Sequence, residues 1–141
     1  MKYITRNLRG DKLKGYKEGL PSFSQEQRDI IVGTLLGDAC IPRAKDRSSF
    51  SIYWGQKLEA YSYVNSIYEK FHSFIGMPPR IRKTFIPGTG NTYYSLRCQT
   101  YGLKVILPFA QSFYYVDSKD RWIKRLPHEI EDLLTPRALA Y

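Results

Sequence analysis

Cysteine, histidine and long apolar runs are scarce in this sequence. Its 141 residues include two cysteines and two histidines, and none of the four stands at a spacing that favours a disulfide framework or a Cys/His metal centre. No segment approaches the roughly 18 continuous apolar residues of a membrane-spanning helix, and the first residues lack the apolar stretch of a signal peptide. We therefore expect a soluble protein of a reducing, intracellular compartment, with no membrane partner.

Acidic residues are also few compared with basic ones. The chain carries 13 Asp and Glu against 22 Lys and Arg, so its formal net charge is +9 and its isoelectric point is about 9.6. Twelve tyrosines accompany this charge. A basic, tyrosine-rich chain favours a polyanionic partner such as nucleic acid, although a solubilising charge would give the same composition.

The first 23 residues form a basic leader that three glycines and a proline interrupt. We expect residues 1–23 to be a loosely held arm, either a nucleic-acid-binding arm or a solubilising tail.

Residues 24–40 are the most informative stretch of the chain. Ser24 and Gln27 have the spacing of a capping box, and apolar residues then recur at helical spacing up to Asp38. Two glycines four residues apart fall on one face of this predicted helix, where they lower helix stability by about 2 kcal/mol relative to alanine. Such a face lets a second helix pack almost in contact, which would bring two carboxylates like Asp38 side by side. The predicted helix interface consists of Ile30, Gly33, Thr34 and Gly37.

Two stretches predict antiparallel hairpins. The first begins at residues 41–44 and returns through residues 49–56, which alternate strictly between apolar and polar side chains. The second comprises residues 80–86 and 92–100, with a glycine-rich turn between them. Basic and hydrogen-bonding side chains are frequent on these strands, where they could contact bases and phosphates. The predicted nucleic-acid-binding residues are Arg43, Lys45, Arg47, Ser49, Ser51, Tyr53, Arg80, Arg82, Lys83, Tyr93, Arg97 and Gln99.

Helices are predicted between and after the hairpins. Apolar periodicity predicts one over residues 57–75 and another over residues 101–113, which Pro108 would kink or end. A short helix is expected at residues 128–134, and a Thr-Pro pair after it has the pattern of a further helix start. The order helix, hairpin, helix, hairpin, helix predicts an α+β domain.

The nine residues Ile31–Ala39 resemble the signature helix of the LAGLIDADG homing endonucleases. Gly33 and Asp38 match its central glycine and its catalytic acidic residue, whereas Ala39 replaces the final glycine. The resemblance implies that residues 24–134 form a LAGLIDADG half-domain with a saddle-like antiparallel sheet for nucleic acid.

The last residues extend the resemblance. Residues 134–141 are similar to the opening of the second signature helix in the monomeric, two-motif branch of the family, and the sequence stops before the acidic pair of that helix. Residues 135–141 are therefore expected to start a second, truncated signature helix.

By this resemblance, the chain is expected to be one half of an endonuclease that cuts double-stranded DNA with a partner half. Asp38 would be catalytic and would bind Mg²⁺ (or Mn²⁺) together with the carbonyl of Gly37, while Lys124 and Gln56 would act at the scissile phosphate and its attacking water. The second carboxylate would come from a second LAGLIDADG half, expected to be a separate chain rather than a second copy. Encoding in a mitochondrion or another organelle would agree with the missing targeting peptide.

Two other interpretations use the same scaffold. A non-catalytic RNA-binding descendant, such as an intron maturase, a splicing factor or a ribonucleoprotein subunit, would bind structured RNA with its basic strands. A purely structural subunit would use the glycine face of the helix to bind another protein. Asp38 favours the endonuclease, whereas the incomplete second motif favours the alternatives.

Overall fold

The computed structural model describes Tyr3 and residues 5–141. They form two compact units, each built from two segments of the chain. The first unit combines Met1–Leu20 with Tyr53–Tyr101, and the second combines Pro21–Ile52 with Gly102–Tyr141. None of the helices in the described ranges is long and apolar enough to cross a membrane.

The first unit contains a three-stranded antiparallel sheet. Its strands are β1 (Tyr53–Lys57), β2 (Arg80–Ile86) and β3 (Asn91–Gln99), with β3 in the centre. Strands β2 and β3 form the second predicted hairpin, and their bounds agree with the prediction to within one residue. A glycine-rich turn between two runs of strand-forming residues is therefore a reliable hairpin signal here.

Helix α3 (Tyr61–Phe71) packs against β1 and β3 and closes the core of this unit. Alternation along the strands sends Trp54, Leu96 and Cys98 to the buried face. The ring of Trp54 lies 5.2 Å from that of Phe71 on the helix. Burial raises the pKa of the Cys98 thiol to about 12, so this cysteine stays protonated and packs as a small apolar group. Short 3₁₀ turns flank the helix at Leu58–Ala60 and His72–Phe74.

The N-terminal arm is bonded to this unit and is not loose, contrary to the expectation from its glycines. It contains a helix, α1 (Gly10–Glu18), that has no buried residue. Arg6 and Tyr16 instead donate hydrogen bonds of 2.7–2.9 Å to the 3₁₀ turn after α3 and to the two residues that follow it, where a helix end leaves carbonyl groups without an intrahelical partner. The accepting carbonyls are those of His72, Ser73, Ile75 and Gly76.

The second unit begins with the signature helix, α2 (Gln25–Leu35). The predicted capping box is confirmed, because the Gln27 amide donates to Ser24 Oγ at 3.1 Å and the Ser24 amide donates to Gln27 Oε1 at 2.9 Å. The helix ends earlier than predicted. Residues 36–38 form a turn, so Asp38 lies after the helix and not in its last turn.

Residues 41–52 do not form the first predicted hairpin. Asp46 accepts hydrogen bonds from the amides of Ser48 and Ser49, and Arg47 adopts a left-handed φ of 58°, so a local turn replaces the ladder. Phe50 alone pairs with Leu103, through bonds of 3.2 and 2.7 Å. The strict alternation predicted from residue 49 onward still holds in the burial pattern, since the apolar members are buried and the polar ones half-buried.

The remainder of the second unit consists of short helices, one short hairpin and the irregular segments that connect them. Helix α4 (Leu107–Phe113) follows a 3₁₀ turn, and Pro108 lies in its first turn, so this proline starts the helix and does not kink or end it. Three-residue strands β4 (Tyr114–Val116) and β5 (Trp122–Lys124) then pair antiparallel. Two short helices complete the unit, α5 (Ile130–Leu133) and α6 (Pro136–Leu139).

Candidate functional site

The turn after α2 presents Asp38 to solvent. Gly37 and Asp38 are exposed, whereas Ala39 is buried and its amide donates to the Thr34 carbonyl at 3.0 Å. The chain therefore leaves the helix through a tight turn that keeps the carboxylate on the surface. The Asp38 side chain is therefore accessible from solvent.

Lys124 lies over the same turn. Its Nζ donates to the carbonyl oxygens of Gly37 at 3.1 Å and Ala39 at 2.6 Å. Burial lowers the pKa of Lys124, whereas the negative charges of Cys40, once its thiol ionises, and of Asp38 raise it. The structure thus brings together Asp38, Lys124 and the Gly37 carbonyl, and in this state that carbonyl accepts from Lys124.

Two aromatic residues hold the chain just after this turn. Tyr114 Oη accepts a hydrogen bond from the Ile41 amide at 3.0 Å, and Trp122 Nε1 donates to the Ile41 carbonyl at 2.8 Å. The rings stack in a column, with Trp122 4.9 Å from Tyr114 and 5.8 Å from Phe50. Burial raises the pKa of the Tyr114 hydroxyl, which therefore stays protonated. We call this group the Ile41 clamp.

Sequence reasoning did not find the Ile41 clamp. Its two bonding side chains stand on β4 and β5, which are too short to show alternation. A signal was nevertheless present, because an aromatic residue on each side of a turn-forming Asp-Ser-Lys-Asp segment is typical of a short hairpin.

The Gly33 face of α2 is covered by α6 of the same chain. A Cβ atom on Gly33 would lie only 2.1 Å from the carbonyl oxygen of Ala138. Arg137 pairs with the buried Asp29 at 3.3 Å, and Thr135 caps α6 as predicted by accepting from the Ala138 amide. The predicted close approach of a second helix is therefore present within the chain.

The helix interface predicted on this face is not left open for a separate chain over most of its length. Ile30, Gly33 and Thr34 are buried, and the Thr34 hydroxyl donates to the Ile30 carbonyl at 2.8 Å. Only Gly37 of the predicted helix interface is exposed, because α6 packs at Gly33, whereas a Cβ atom added to Gly37 would meet only the Thr34 carbonyl, at 3.7 Å.

One face of the three-stranded sheet carries most of the polar candidates. The register places Arg80 opposite Arg97, Tyr53 opposite Gln99, and Tyr93 opposite Thr84. Antiparallel partners share a face, so these side chains and Arg82 form a single polar surface. Strand β2 is exposed along its whole length. We call this surface the polar sheet face.

Two lysines stand differently from their predicted positions, and Gln56 lies off the polar sheet face. Lys83 lies opposite Tyr94 on the other face of the sheet, because it follows Arg82 directly. Gln56 is half-buried opposite Leu96 on the core side of β1, as its parity indicated. Lys57 was expected to begin a helix, but it ends β1 and joins the polar sheet face opposite Ser95.

The candidates between residues 43 and 51 stand in the second unit, on the turn that replaces the first hairpin. Arg43 binds Asp120 through a side-chain and a backbone contact, each of 2.8 Å, and the Arg43 guanidinium lowers the pKa of that carboxyl group. Lys45 and Arg47 are exposed, while Ser49 and Ser51 are half-buried. Arg43 thus has an acidic partner that a nucleic acid would have to replace.

The oxygen atoms of the turn after α2 could supply some of the ligands of a magnesium ion. Mg²⁺ prefers carboxylate and carbonyl oxygens together with water, and Asp38 and the Gly37 carbonyl offer these two. Within the described ranges, no group of three or more His, Cys, Asp or Glu side chains gathers where it could hold a metal ion. Further acidic ligands would have to come from outside this set.

The chain is similar in sequence and in fold to known endonucleases. A sequence model of the LAGLIDADG DNA endonuclease family matches residues 28–141. The "Probable intron-encoded endonuclease 1" of Wickerhamomyces canadensis is 28% identical over 131 residues, which are 92% of this chain and 53% of that protein. The DNA endonuclease I-ChuI of Chlamydomonas applanata is 28% identical over 123 residues, 85% of this chain and 56% of that protein.

A solved structure gives the same fold. The homing endonuclease I-WcaI bound to its DNA recognition sequence superposes with a TM-score of 0.77 at 23% identity, covering 94% of this chain and 55% of that one. The chain thus spans about half the length of each relative. The predicted α+β LAGLIDADG half-domain is confirmed.

Proposed function

The chain belongs to the LAGLIDADG DNA endonuclease family, and from this premise we propose that it is one half of a homing endonuclease. It binds a long double-stranded DNA site and hydrolyses phosphodiester bonds together with a second LAGLIDADG half. The observation that carries this proposal is the meeting of Asp38 and Lys124 at the turn after the signature helix.

DNA binding is assigned to the polar sheet face. Arg80, Arg82 and Arg97 supply positive charge on adjacent strands, and Tyr53 and Gln99 add hydrogen-bonding groups. A two-stranded ribbon such as β2–β3 is narrow enough to enter a major groove. The exposed basic residues of the second unit, Lys45 and Arg47, add phosphate contacts, and Arg43 does so once Asp120 releases it.

At the cleavage site, Asp38 and the Gly37 carbonyl would hold a divalent cation, Mg²⁺ or Mn²⁺. When bound, such a cation stabilises charge on the phosphate oxygens and lowers the pKa of a bound water. Lys124 places a positive charge beside the scissile phosphate, and it must first release the Gly37 carbonyl. Gln56 remains a candidate for orienting the attacking water, as the family resemblance implies.

The second half completes the carboxylate set. Helix α6 already occupies the Gly33 face, so a two-fold dimer through that face would have to displace α6 and break the Arg137–Asp29 pair. This geometry favours a half that continues from α6, supplied by a separate segment or chain, over a second copy. An organelle-encoded intron product is the corresponding cellular setting.

The decisive experiment compares Asp38→Asn with the unchanged protein. A duplex library is incubated with the chain, a complementing LAGLIDADG half and Mg²⁺, and cleavage and binding are measured separately. Asp38→Asn should abolish cleavage and change affinity less than tenfold, which is about 1.4 kcal/mol. Asp132→Asn, an exposed carboxylate on α5, is the matched control and should leave both unchanged.

Two results would contradict the proposal. A loss of binding in Asp38→Asn would make Asp38 a structural residue. Binding that hardly changes with salt would exclude a phosphate-based interface, since roughly six to ten phosphate contacts predict a fall of about 10³–10⁵-fold in affinity between about 50 and 200 mM salt. Tight binding of structured RNA without cleavage of any duplex would replace the endonuclease by the RNA-binding alternative.

A further inference from the structure

A cavity of about 200 Å³ opens at the end of the polar sheet face in the first unit. Five of its lining residues come from all three strands and from the segments next to β2 and β3. These residues are Tyr53, Gly76, Arg80, Arg97 and Tyr101. We call this space the Tyr101 cavity.

The two arginines of the Tyr101 cavity are direct partners in the strand register. Arg80 on β2 stands opposite Arg97 on β3, and like charges opposite each other destabilise a sheet unless something neutralises them. Within the part of the chain that the structure describes, neither arginine has an acidic partner within 4.0 Å. The cavity therefore concentrates positive charge that no carboxylate compensates.

The residue of β1 that pairs with Arg97 is a glycine, and it shapes the wall of the Tyr101 cavity. Gly55 stands opposite Arg97 on β1, and a Cβ atom there would lie 2.9 Å from Cε1 of Tyr53. The missing side chain lets the Tyr53 ring lie close over the strand. An aromatic wall beside two guanidinium groups excludes water and strengthens their attraction for an anion.

Tyr101 contributes a hydroxyl group that is buried without a partner. Among the described residues, no atom forms a hydrogen bond with Tyr101 Oη, although buried hydroxyl groups are normally satisfied. Gly76 leaves room for this ring, since a Cβ atom on it would lie 2.7 Å from Tyr101 Cε1 and 2.9 Å from the hydroxyl oxygen. Burial raises the pKa of Tyr101, so the hydroxyl keeps its proton and can donate it.

We propose that the Tyr101 cavity binds one backbone phosphate of a nucleic acid, with Arg80, Arg97 and the Tyr101 hydroxyl as donors. Two guanidinium groups match the geometry of a phosphate, and the hydroxyl completes a three-sided donor set. This proposal rests on the proposed nucleic-acid-binding function and deepens it. It assigns Arg80 and Arg97 to positioning the backbone, and leaves base reading to Arg82 and the rest of the hairpin.

The first test measures the cavity without nucleic acid. Inorganic phosphate is titrated into the ¹⁵N-labelled chain while the arginine Nε–Hε signals are followed by NMR. We expect saturable shifts confined to Arg80 and Arg97, about tenfold weaker in Tyr101→Phe. Shifts spread over all basic residues without saturation, or identical in Tyr101→Phe, would overturn the assignment. Tyr94→Phe, which removes a hydroxyl from the other face of β3, should match the unchanged protein.

The second test separates a nucleic-acid phosphate from a free one. Duplex affinity is measured against salt for each variant. Arg97→Gln should lower the slope of log affinity against log salt by about 0.9, and Lys104→Gln, which removes an exposed charge of the second unit, should not change it. Tyr101→Phe should lower affinity about tenfold without changing the slope, because the lost group is neutral.

The outcomes of the two tests are distinguishable. Saturable phosphate binding with duplex affinity unchanged in Tyr101→Phe would mean that the cavity takes free phosphate and not DNA. An absence of duplex binding in the unchanged protein would refute the proposed function, while the phosphate titration would still decide the cavity. Folding is controlled by thermal unfolding, in which Tyr101→Phe should be at least as stable as the unchanged protein because its hydroxyl has no partner.

Discussion

Replacing Gly33 by alanine should force α6 away from α2. The new methyl group would lie 2.1 Å from the carbonyl oxygen of Ala138 and 3.0 Å from Cβ of Tyr141, whereas optimal contacts between heavy atoms are about 3.5–4.0 Å. The nearest obstacle is backbone, so no rotamer change can relieve the clash. Overpacking of this kind destabilises by roughly 1–3 kcal/mol, and alanine returns about 1 kcal/mol of helix propensity. We expect a net loss of up to about 2 kcal/mol.

Gly37→Ala is the matched control for this change. A methyl group at Gly37 would meet only the Thr34 carbonyl at 3.7 Å, and the φ of Gly37 is not in the left-handed region. This variant should be neutral or more stable by up to about 1 kcal/mol. Urea unfolding gives the two free energies, and hydrogen exchange of the Ala138 amide, which donates to Thr135 at 3.0 Å, reports α6 directly. Equal stability and unchanged protection of that amide in Gly33→Ala would refute the close packing.

Three further predictions concern local hydrogen bonds. Tyr114→Phe leaves the buried Ile41 amide without its acceptor and should lower the free energy of unfolding by about 1–3 kcal/mol, measured by urea unfolding. The control is Tyr115→Phe at an exposed position, which should change this free energy by less than about 0.5 kcal/mol. Hydrogen bonds, chiefly from the Arg121 amide, lower the pKa of Asp117 in the folded state. The ionised Asp117 therefore stabilises the folded protein above about pH 4, and this stabilisation is lost as the pH falls further. The free energy of unfolding, measured from about pH 6 to about pH 2, should fall less steeply in Asp117→Asn. Ser24→Ala should lower the thermal midpoint through a loss of about 1 kcal/mol, because it removes the capping box of α2.

Local signals in the sequence were sufficient for several elements. The capping box at Ser24, the strands on either side of the 87–90 turn and the Thr135 cap of α6 each depend on residues within a few positions of one another. Such features depend on hydrogen bonds and turn conformations that residues close in the sequence determine. The signature residues also identified the family, because Asp38 and Gly33 stand at fixed spacing.

Tertiary contacts and one local turn decided what the sequence did not reveal. The arm is held by Arg6, whose partners are carbonyl groups some 66 to 69 residues further along the chain. The predicted strand at residues 41–44 was lost to a turn that Asp46 stabilises, and Pro42 could not have donated to a ladder. The Ile41 clamp depends on strands of three residues, which carry no periodicity. At the candidate site, the predicted roles of Asp38, Lys124 and Gln56 stay predictions that the cleavage assay must decide.

The hydrogen bonds that hold the turn at Asp38 and the chain just after it also determine when this region can fold during synthesis. The donors and acceptors are 87 residues apart for Lys124 and Gly37, 81 for Trp122 and Ile41, and 73 for Tyr114 and Ile41. Contacts across such long loops form late, because closing the loop precedes any gain from the contact. At a synthesis rate of about 5–20 residues per second, α2 leaves the ribosome roughly 4–17 s before Lys124 follows it. We therefore expect the turn that carries Asp38 to reach its final conformation only after Lys124 has been synthesised. A nascent chain would then contain the folded signature helix before it contains an ordered candidate site.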